Sequence, residues 1–328
     1  MTIENLARLI NAQILNKPSV SGVLDFTFNP KSVRRGFAFI AQDANEQDLE
    51  LAVKNGAYAV ICEEAPSVCD SETAYLKVQN LQTALVRLMR FESAGKNLKF
   101  CLVNAAGAAI LGRMSLSKNA SLLPADFSQA FMKILRAKSG DVFFTGDARM
   151  LQRIAPAYDT AFTDAKIGAL NPSSIFFTTL ICDGIYYQNL ALPRVFTGTF
   201  CGLLHYLRAS GVEFKLGDMR ALGHFEPIFI DKNFRPAHFG ASFRALIAES
   251  DDELFEIEAA YLRKNFDPAN VIFCLPADSR INISGAFRFS DLNELKGLKN
   301  FRYALVNANK SEILTALNAS DGERNLFE

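Results

Sequence analysis

The sequence contains no tryptophan and few histidines, three in all, and neither basic nor acidic residues are in excess. Lysine and arginine together number 35, as do aspartate and glutamate, so the formal net charge is zero. Proteins that follow a nucleic-acid backbone draw on an excess of basic residues, and we therefore expect no nucleic-acid partner. The 28 phenylalanines must supply most of the aromatic core.

Long apolar runs are also missing. The longest uncharged stretch worth testing as a membrane span, Ile167–Cys182, is interrupted by Asn171 and Pro172. It falls short of the roughly 20 apolar residues that a transmembrane helix needs. The first residues do not show the basic stretch followed by an apolar stretch that marks a secretory signal. We therefore expect a cytoplasmic protein with no membrane span.

The cysteines form no Cys-x-x-Cys pair. The six are Cys62, Cys69, Cys101, Cys182, Cys201 and Cys274. Most lie in apolar runs, which predicts buried free thiols in a reducing compartment rather than a disulfide framework or a zinc site. His224 and His238 lie near Glu226 and Asp231, but no pair has the helical i, i+4 spacing of metal ligands. We expect no bound metal.

Helical and strand-like patterns alternate along the chain. A helix over Asp48–Asn55, a closing glycine and a strand over Tyr58–Cys62 give an order typical of an α/β layer. Two apolar runs on either side of Asp183 and Gly184 predict a β-hairpin. A strand at Lys99–Asn104 is followed by small residues, with a helix expected from about Ala109.

From Pro227 onward the pattern is a regular βαβαβα alternation. Strands are expected at Ile228–Ile230, Arg244–Ala248, Val271–Leu275 and Tyr303–Val306, and helices at Asp251–Lys264, Asp291–Leu298 and Ser311–Leu317. Such a unit predicts a small, doubly wound and mainly parallel sheet. The element order places domain boundaries near residues 95 and 226, which gives three α/β domains at residues 1–95, 96–226 and 227–328.

Two segments of the first domain resemble the Mur ligases, the ATP-dependent amide-bond ligases that build the peptidoglycan stem peptide. Val33–Ala41 (VRRGFAFIA) resembles the family's turn-and-strand segment V-x-x-G-D-L-F-x-A. Ala52–Val60 (AVKNGAYAV) resembles the A-x-x-x-G-A-x-A-V that follows it. The family's uridine-contacting Asp-Ser-Arg corresponds to Asn29, Pro30 and Lys31. The resemblance therefore implies a three-domain Mur-ligase-like arrangement, with Lys31 as a candidate substrate contact that lacks the arginine fork.

The resemblance continues into the central domain without its phosphate-binding residues. The family's phosphate loop, G-T-N-G-K-T, corresponds to Asn104–Ala109 (NAAGAA), in which Gly107 alone is kept. Ala108 and Ala109 occupy the positions of the lysine that contacts the β- and γ-phosphates and the threonine that holds Mg²⁺. Asn104 and Gly107 remain as candidate cofactor contacts at a degenerate phosphate loop, and no cofactor is expected.

Three later segments keep the family's spacing and few of its residues. Gly223–Pro227 resembles the G-R-x-E entry to the last domain, with His224 in place of arginine. Asp231–Pro236 matches D-Y-A-H-x-P only at its ends, and Val271–Arg280 resembles a strand followed by a G-G-D-R-D-like loop. The resemblance makes four further residues candidate substrate contacts: Glu226, Asp231, Asp278 and Arg280.

Three hypotheses of function remain open, and no catalytic residue is assigned. The first is a Mur-ligase-like protein without ATP-dependent ligase activity that binds a UDP-linked muramyl precursor or a cell-wall enzyme. The second is an active amide-bond ligase that holds ATP and Mg²⁺ at a non-standard site. The third is a small-molecule enzyme confined to the C-terminal unit, with a closed polar pocket around Asp278 and Arg280.

Overall fold

The computed structural model describes residues 1–66, 70–155, 157–161, 167–170 and 174–319. The described chain divides into two compact units. The first contains the described residues of 1–102 and 118–160, and the second contains 103–117 and those from 161 onward. None of the described helices is long and apolar enough to cross a lipid bilayer.

The described residues form a mixed α/β structure. The helices are α1 (Ile3–Ile10), α2 (Glu46–Lys54), α3 (Leu81–Gly95), α4 (Ala105–Gly112), α5 (Phe127–Leu135), α6 (Ala148–Ile154), α7 (Thr197–Ala209), α8 (Asp252–Asn265) and α9 (Lys310–Asn318). The strands are β1 (Gln13–Ile14), β2 (Asp25–Thr27), β3 (Phe37–Ile40), β4 (Ala59–Cys62), β5 (Ala74–Lys77), β6 (Lys99–Leu102), β7 (Met114–Leu116), β8 (Ala120–Leu122), β9 (Val142–Thr145), β10 (Asp159–Thr160), β11 (Ile167–Leu170), β12 (Thr178–Cys182), β13 (Ile185–Leu190), β14 (Phe214–Leu216), β15 (Glu226–Ile230), β16 (Arg244–Ala248), β17 (Val271–Pro276), β18 (Phe287–Phe289) and β19 (Tyr303–Val306).

The first sheet of the first unit has the order β1-β5-β4-β3-β2. Strands β2 to β5 run parallel, and β1 pairs antiparallel at the edge. Because successive side chains of a strand point to opposite faces, each strand serves two cores. In β3, Ala38 and Ile40 pack in the core that holds α1 and α3, whereas Phe39 packs in the core that holds α2. The α/β layer predicted from the early helix–glycine–strand order is confirmed.

The second sheet of the first unit, β10-β6-β9-β8, is parallel throughout. Its residues Phe100 and Phe143 belong to the same apolar core as α1 and α3. Helix α3 ends at Gly95, beside the predicted boundary at residue 95, and it contacts α1 as well as α5 and α6. The two sheets therefore share one core through α3. The three-domain boundaries stay a prediction.

The second unit contains the predicted hairpin. Strands β12 and β13 pair antiparallel, and Asp183 and Gly184 between them have φ values of 49° and 79°. Two successive left-handed residues are what a tight two-residue hairpin turn requires, and Asp-Gly supplies them at low cost. Strand β11 continues this sheet, and β7 pairs separately with β14.

The C-terminal sheet has the order β15-β16-β19-β17-β18, and among its pairs β15 and β16 alone are antiparallel. Leu246 and Val306 face a core closed by α9, while Phe273 lies under Arg263 of α8 on the other face. The predicted doubly wound, mainly parallel sheet is confirmed. The helix expected at Asp291–Leu298 is instead a 3₁₀ helix over Leu292–Gly297, which Asp291 caps.

The described cysteines are buried and form no disulfide with one another: Cys62, Cys101, Cys182, Cys201 and Cys274. Cys69 lies outside the described residues. Burial raises the pKa of Cys62 to about 11 and that of Cys274 to about 12. A thiol with a raised pKa carries little thiolate at neutral pH, so these side chains act as small apolar residues.

Candidate functional site

The segment that corresponds to a phosphate loop is the capped start of a helix. Strand β6 ends at Leu102 and α4 begins at Ala105, so two residues connect them. The Oδ1 atom of Asn104 accepts a hydrogen bond from the N–H of Gly107 at 2.8 Å. The helix expected from Ala109 therefore begins four residues earlier, because Asn104 is a strong N-cap and the alanines after it favour helix.

Gly107, the one glycine kept from the phosphate-loop pattern, has a packing reason to be glycine. It is buried, and a Cβ atom there would lie 3.2 Å from Asn104 Oδ1, 3.2 Å from Val103 Cβ and 3.4 Å from Thr199 Cγ2. The close approach of Val103 and Asn104, with Thr199 of α7 on the other side, thus explains the glycine without a ligand.

Replacing Asn104 with alanine is expected to destabilise the protein by about 1 kcal/mol, because the N–H of Gly107 loses its acceptor. Asn104→Asp keeps an acceptor and should stay close to the parent. Urea unfolding followed by circular dichroism measures both. Equal stability of the alanine variant and the parent would contradict the capping role.

A cavity of about 300 Å³ lies in the second unit beside the start of β15. Its walls are largely apolar: Phe176, Phe177, Ala191, Pro193, Met219, Ala221, Leu222, Phe225, Pro227 and Phe239. Its polar lining residues are Arg220, His224, Glu226 and Lys310. An apolar cavity with a few convergent polar groups is the usual form of a small-molecule site.

The chain segment along this cavity is held in an unusual backbone conformation. Ala221, Gly223 and Phe225 all have positive φ, at 51°, 85° and 51°. A left-handed conformation is unfavourable for alanine and for a bulky residue such as phenylalanine, and it persists where the surroundings enforce it. Here the Ala221 carbonyl accepts a hydrogen bond from Arg113, and the Phe225 N–H donates to Glu249 Oε2 at 3.2 Å. Strained segments concentrate at functional sites.

A buried carboxylate, Glu249, orients His224 at the cavity wall. The Nδ1 atom of His224 lies 3.0 and 3.2 Å from the two oxygens of Glu249, which also accept the N–H groups of Phe225 and Asp251. Burial, the largest influence, raises the pKa of Glu249. Hydrogen bonds from His224 and from the Asp251 N–H, together with the neighbouring Glu258 carboxyl and the charge of His224, outweigh it and hold that pKa below its usual value.

His224 carries positive charge more readily than a free histidine. Burial, its largest influence, lowers the pKa of His224, but the hydrogen bond and charge of Glu249 and the charges of Asp251 and Glu226 raise it above its ordinary value. The Nδ1 atom is committed to Glu249. Among the described residues, Nε2 has no hydrogen-bond partner.

A second buried acid, Glu258 on α8, stands behind Glu249. It is 0% exposed, and neither of its oxygens has a partner at ordinary hydrogen-bond distance and angle among the described residues. Burial and the negative charge of Glu249 raise the pKa of Glu258 well above its usual value. Glu258 therefore keeps its proton beside the Glu249 carboxylate. The result is a row of a neutral acid, a carboxylate and a histidine that is protonated more readily than a free one.

The first unit holds a larger cavity of about 670 Å³, at the carboxyl ends of β3, β4 and β5. Its charged lining residues are Asp43, Glu46, Glu63 and Glu64, and none of its described lining residues is basic. The helix N-termini at this edge are already capped, α2 by Asn45 and α3 by Asn80 and Glu63. A phosphate would meet acidic side chains here and no cation.

Comparison with solved structures places these elements on a known scaffold. MurF ligase from Thermotoga maritima, in complex with ADP, superposes with a TM-score of 0.50 at 12% sequence identity, over 89% of this chain and 96% of that one. The chain has a Mur-ligase fold. MurF from Acinetobacter baumannii gives a TM-score of 0.47 at 10% identity, over 96% and 97% of the two chains. No protein-family model matches the sequence, and no curated protein does.

The Mur-ligase-like fold inferred from the sequence motifs is therefore confirmed. Of the candidate substrate contacts taken from the Mur-ligase motifs, Glu226 alone lines the cavity beside His224. It lies 3.5 Å from the Nζ atom of Lys310 and accepts the N–H of Gly223 at 3.4 Å. Lys31 lies in the first unit, exposed on a 3₁₀ turn over Pro30–Ser32. Its role in binding stays a prediction.

The remaining candidate contacts lie at the surface. Asp231 accepts the N–H groups of Asn233 and Arg235, which shapes the turn after β15, and these bonds lower its pKa. Asp278 and Arg280 are exposed on the β17–β18 connection and line neither cavity. A different arginine, Arg288, fixes that connection by donating to the carbonyls of Pro276, Ser279 and Ile281.

Four charged residues at or behind the His224 cavity were not singled out by the sequence analysis: Arg220, Glu249, Glu258 and Lys310. Glu258 had a detectable signal, since it is a charged residue on the apolar stripe of α8 beside Leu254, Phe255, Ala259 and Leu262. An acid at such a position is rarely buried without a role or a partner. Within the described residues, no group of three or more His, Cys, Asp or Glu side chains is placed to hold a metal ion.

Proposed function

We propose that this protein uses the Mur-ligase fold for binding and does not form amide bonds with ATP. The start of α4 carries the proposal. Two residues connect β6 to α4, Asn104 caps the helix, and Ala108 and Ala109 bring neither a cation nor a hydroxyl. Transfer of a γ-phosphoryl group depends on cationic and Mg²⁺ stabilisation of its oxygens. Ala108 and Ala109 cannot supply this cationic and Mg²⁺ stabilisation.

The proposed ligand class is a cell-wall precursor, bound at the cavity of the first unit. The acidic and amide side chains that line this cavity suit sugar hydroxyls and the amino groups of a stem peptide. They do not suit a diphosphate, so the uridine diphosphate of a UDP-linked muramyl precursor would lie outside it. A cell-wall enzyme is the other proposed partner. Buried thiols without a disulfide among the described cysteines support a reducing compartment such as the cytoplasm.

Isothermal titration calorimetry with ATP–Mg²⁺ tests the absence of nucleotide binding. A hydrogen bond to a charged group is worth roughly 1.5–3 kcal/mol, and about 1.4 kcal/mol is a factor of ten in affinity. A site without the lysine and without the Mg²⁺ ligand should therefore bind ATP two to three decades more weakly than one that has both. We expect no binding tighter than about 1 mM.

A Gly107→Asp variant gives the matching control, because it adds a negative charge at the start of α4. Binding of ATP below about 100 µM that this variant abolishes, in a protein still folded by circular dichroism, would overturn the proposal in favour of an active ligase. Titration with a muramyl peptide and with its UDP-linked form tests the ligand class, and equal affinity for the two is expected.

A further inference from the structure

The cavity beside His224 is not used by the proposed function, and its chemistry points to a ligand of its own. We propose that it binds a small carboxylate with an aromatic or branched aliphatic body, whose carboxylate accepts a hydrogen bond from Nε2 of His224. This inference does not depend on whether the start of α4 binds ATP or whether the first unit binds a cell-wall precursor.

Glu249 fixes the orientation of the His224 ring. Its Nδ1 atom is held by Glu249, a fully buried residue that does not line the cavity. His224 itself lines the cavity, and with Nδ1 held by Glu249 the ring nitrogen left for a ligand there is Nε2. A carboxylate that fixes one imidazole nitrogen sets the tautomer and leaves the other nitrogen available to a ligand.

The lining of the cavity carries more basic than acidic side chains. Among the lining residues, Arg220, His224 and Lys310 are basic and Glu226 is acidic. Glu226 pairs with Lys310 at 3.5 Å, and Arg220 pairs with Asp218 outside the lining at 2.7 Å. Arg220 and Lys310 thus each have an acidic partner, whereas Nε2 of a protonated His224 has no anion bound to it among the described residues. Charge-assisted hydrogen bonds to carboxylates are the natural way to complete such a site.

Aromatic rings form much of the cavity wall. Phe177 and Phe239 are 37% and 55% exposed, and their rings meet edge to face at 5.3 Å. Phe176 and Phe225 continue the aromatic surface inward, with centroids 5.8 Å apart. Exposed aromatic rings leading into an apolar cavity favour a ligand with a flat or branched apolar body. The volume of about 300 Å³ suits one small molecule.

The ionisation of His224 gives the proposal a pH signature. The charged and titratable groups around it are Arg220, Glu226, Glu249, Asp251, Glu258 and Lys310. The nearby acids raise the pKa of His224, so the imidazolium persists above the ordinary histidine range. Carboxylate affinity should be greatest below that raised pKa and should fall as pH rises through it.

The test uses 3-phenylpropanoate and 4-methylpentanoate, each beside its neutral amide, titrated into the full chain by calorimetry. We expect both carboxylates to bind and both amides to bind at least about 10-fold more weakly. His224→Gln should weaken carboxylate binding about 10- to 100-fold, since one charge-assisted hydrogen bond is lost. Lys310→Met removes an accessible cation and should weaken carboxylate binding in the same direction.

His205→Gln is the matched control, because His205 is half-exposed, pairs with Asp183 and lies outside the cavity lining. It should bind the carboxylates like the parent. With three histidines in the chain, nitrogen-detected NMR resolves each ring, and the ligand should shift Nε2 of His224 alone. Equal binding of acids and amides, no binding of either acid, displacement of a bound acid by ADP, or unchanged affinity in folded His224→Gln and Lys310→Met would each overturn the proposal.

Discussion

Replacing Phe225 with alanine is expected to destabilise the second unit by about 3–5 kcal/mol. The Phe225 side chain is 0% exposed, and its ring contacts those of Phe176, Phe196 and Tyr261 at centroid distances of 5.8, 6.4 and 6.3 Å. Truncation removes these aromatic contacts and leaves a void that the surrounding rings cannot fill without leaving their rotamers. Alanine also keeps the unfavourable left-handed conformation.

Phe225→Gly separates packing from backbone strain. Glycine is normally less stable than alanine by about 0.5–1 kcal/mol at an ordinary position. At a φ of 51° the order should reverse, because a left-handed conformation costs an L-residue about 1–2 kcal/mol and costs glycine nothing comparable. We therefore expect Phe225→Gly to be at least as stable as Phe225→Ala.

Urea unfolding followed by circular dichroism measures the change in stability, and hydrogen exchange in β16 and α8 assigns it to the second unit. Phe239→Ala is the control, since the Phe239 ring lies at the mouth of the cavity and is 55% exposed. It should change stability by less than about 1 kcal/mol. Similar destabilisation in Phe225→Ala and Phe239→Ala would show that Phe225 is not a centre of the core.

The parts of the fold that local chemistry decides were predictable from the sequence. The hairpin was predicted from Asp183 and Gly184, because aspartate and glycine tolerate the positive φ that the turn needs. The parallel C-terminal sheet followed from alternating apolar strands and amphipathic helices. The start of α4 was missed because the small residues after Asn104 resemble a loop, although alanine is the best helix former.

The shared core of the first unit could not be predicted from local patterns. It depends on α3, which contacts α1 as well as α5 and α6. Hydrophobic periodicity shows that a helix has an apolar face, but it does not show which other elements cover that face. The boundary expected at residue 95 rests on the order of elements along the chain and stays a prediction.

The candidate site was predictable in part, for a similar reason. Motif spacing singled out Glu226, and it drew attention to His224 as the residue that replaces an arginine. Glu249 lies 25 residues from His224 and reaches it because β15 and β16 pair side by side. Such a juxtaposition is set by sheet topology, and no local pattern carries it. Glu258, in contrast, could have been noticed in the sequence, because it is an acid on an apolar helix face.

Replacing Glu258 with glutamine is expected to stabilise the protein increasingly as pH rises. The folded protein keeps the Glu258 proton because burial and the Glu249 charge raise its pKa, while the unfolded chain releases that proton near the ordinary glutamate pKa. Above the ordinary pKa the folded state therefore binds more protons than the unfolded state. Its stability then falls by about 1.4 kcal/mol per pH unit until the raised pKa is reached.

Glutamine at position 258 abolishes this slope, since the amide does not ionise, and its N–H can still point toward Glu249. Below about pH 4 the variant and the parent should have similar stability, because the acid is then largely protonated in both states. Toward pH 8 the gap should widen by about 1.4 kcal/mol per unit. The raised pKa of His224 adds a decline of the same sign as pH rises through it, and this decline should remain in the variant.

Glu256→Gln on the same helix is the matched control, because it makes the same substitution two residues away, at an exposed position. Thermal unfolding of the parent and both variants across the range from about pH 4 to pH 8 gives the comparison. The Glu256 variant should follow the parent at every pH, whereas the Glu258 variant should diverge from it. Parallel pH curves for all three proteins would mean that Glu258 ionises in the folded state as it does in the unfolded chain. In that case both acids would be charged behind His224, and protonation of Glu258 could not be what prevents their mutual repulsion.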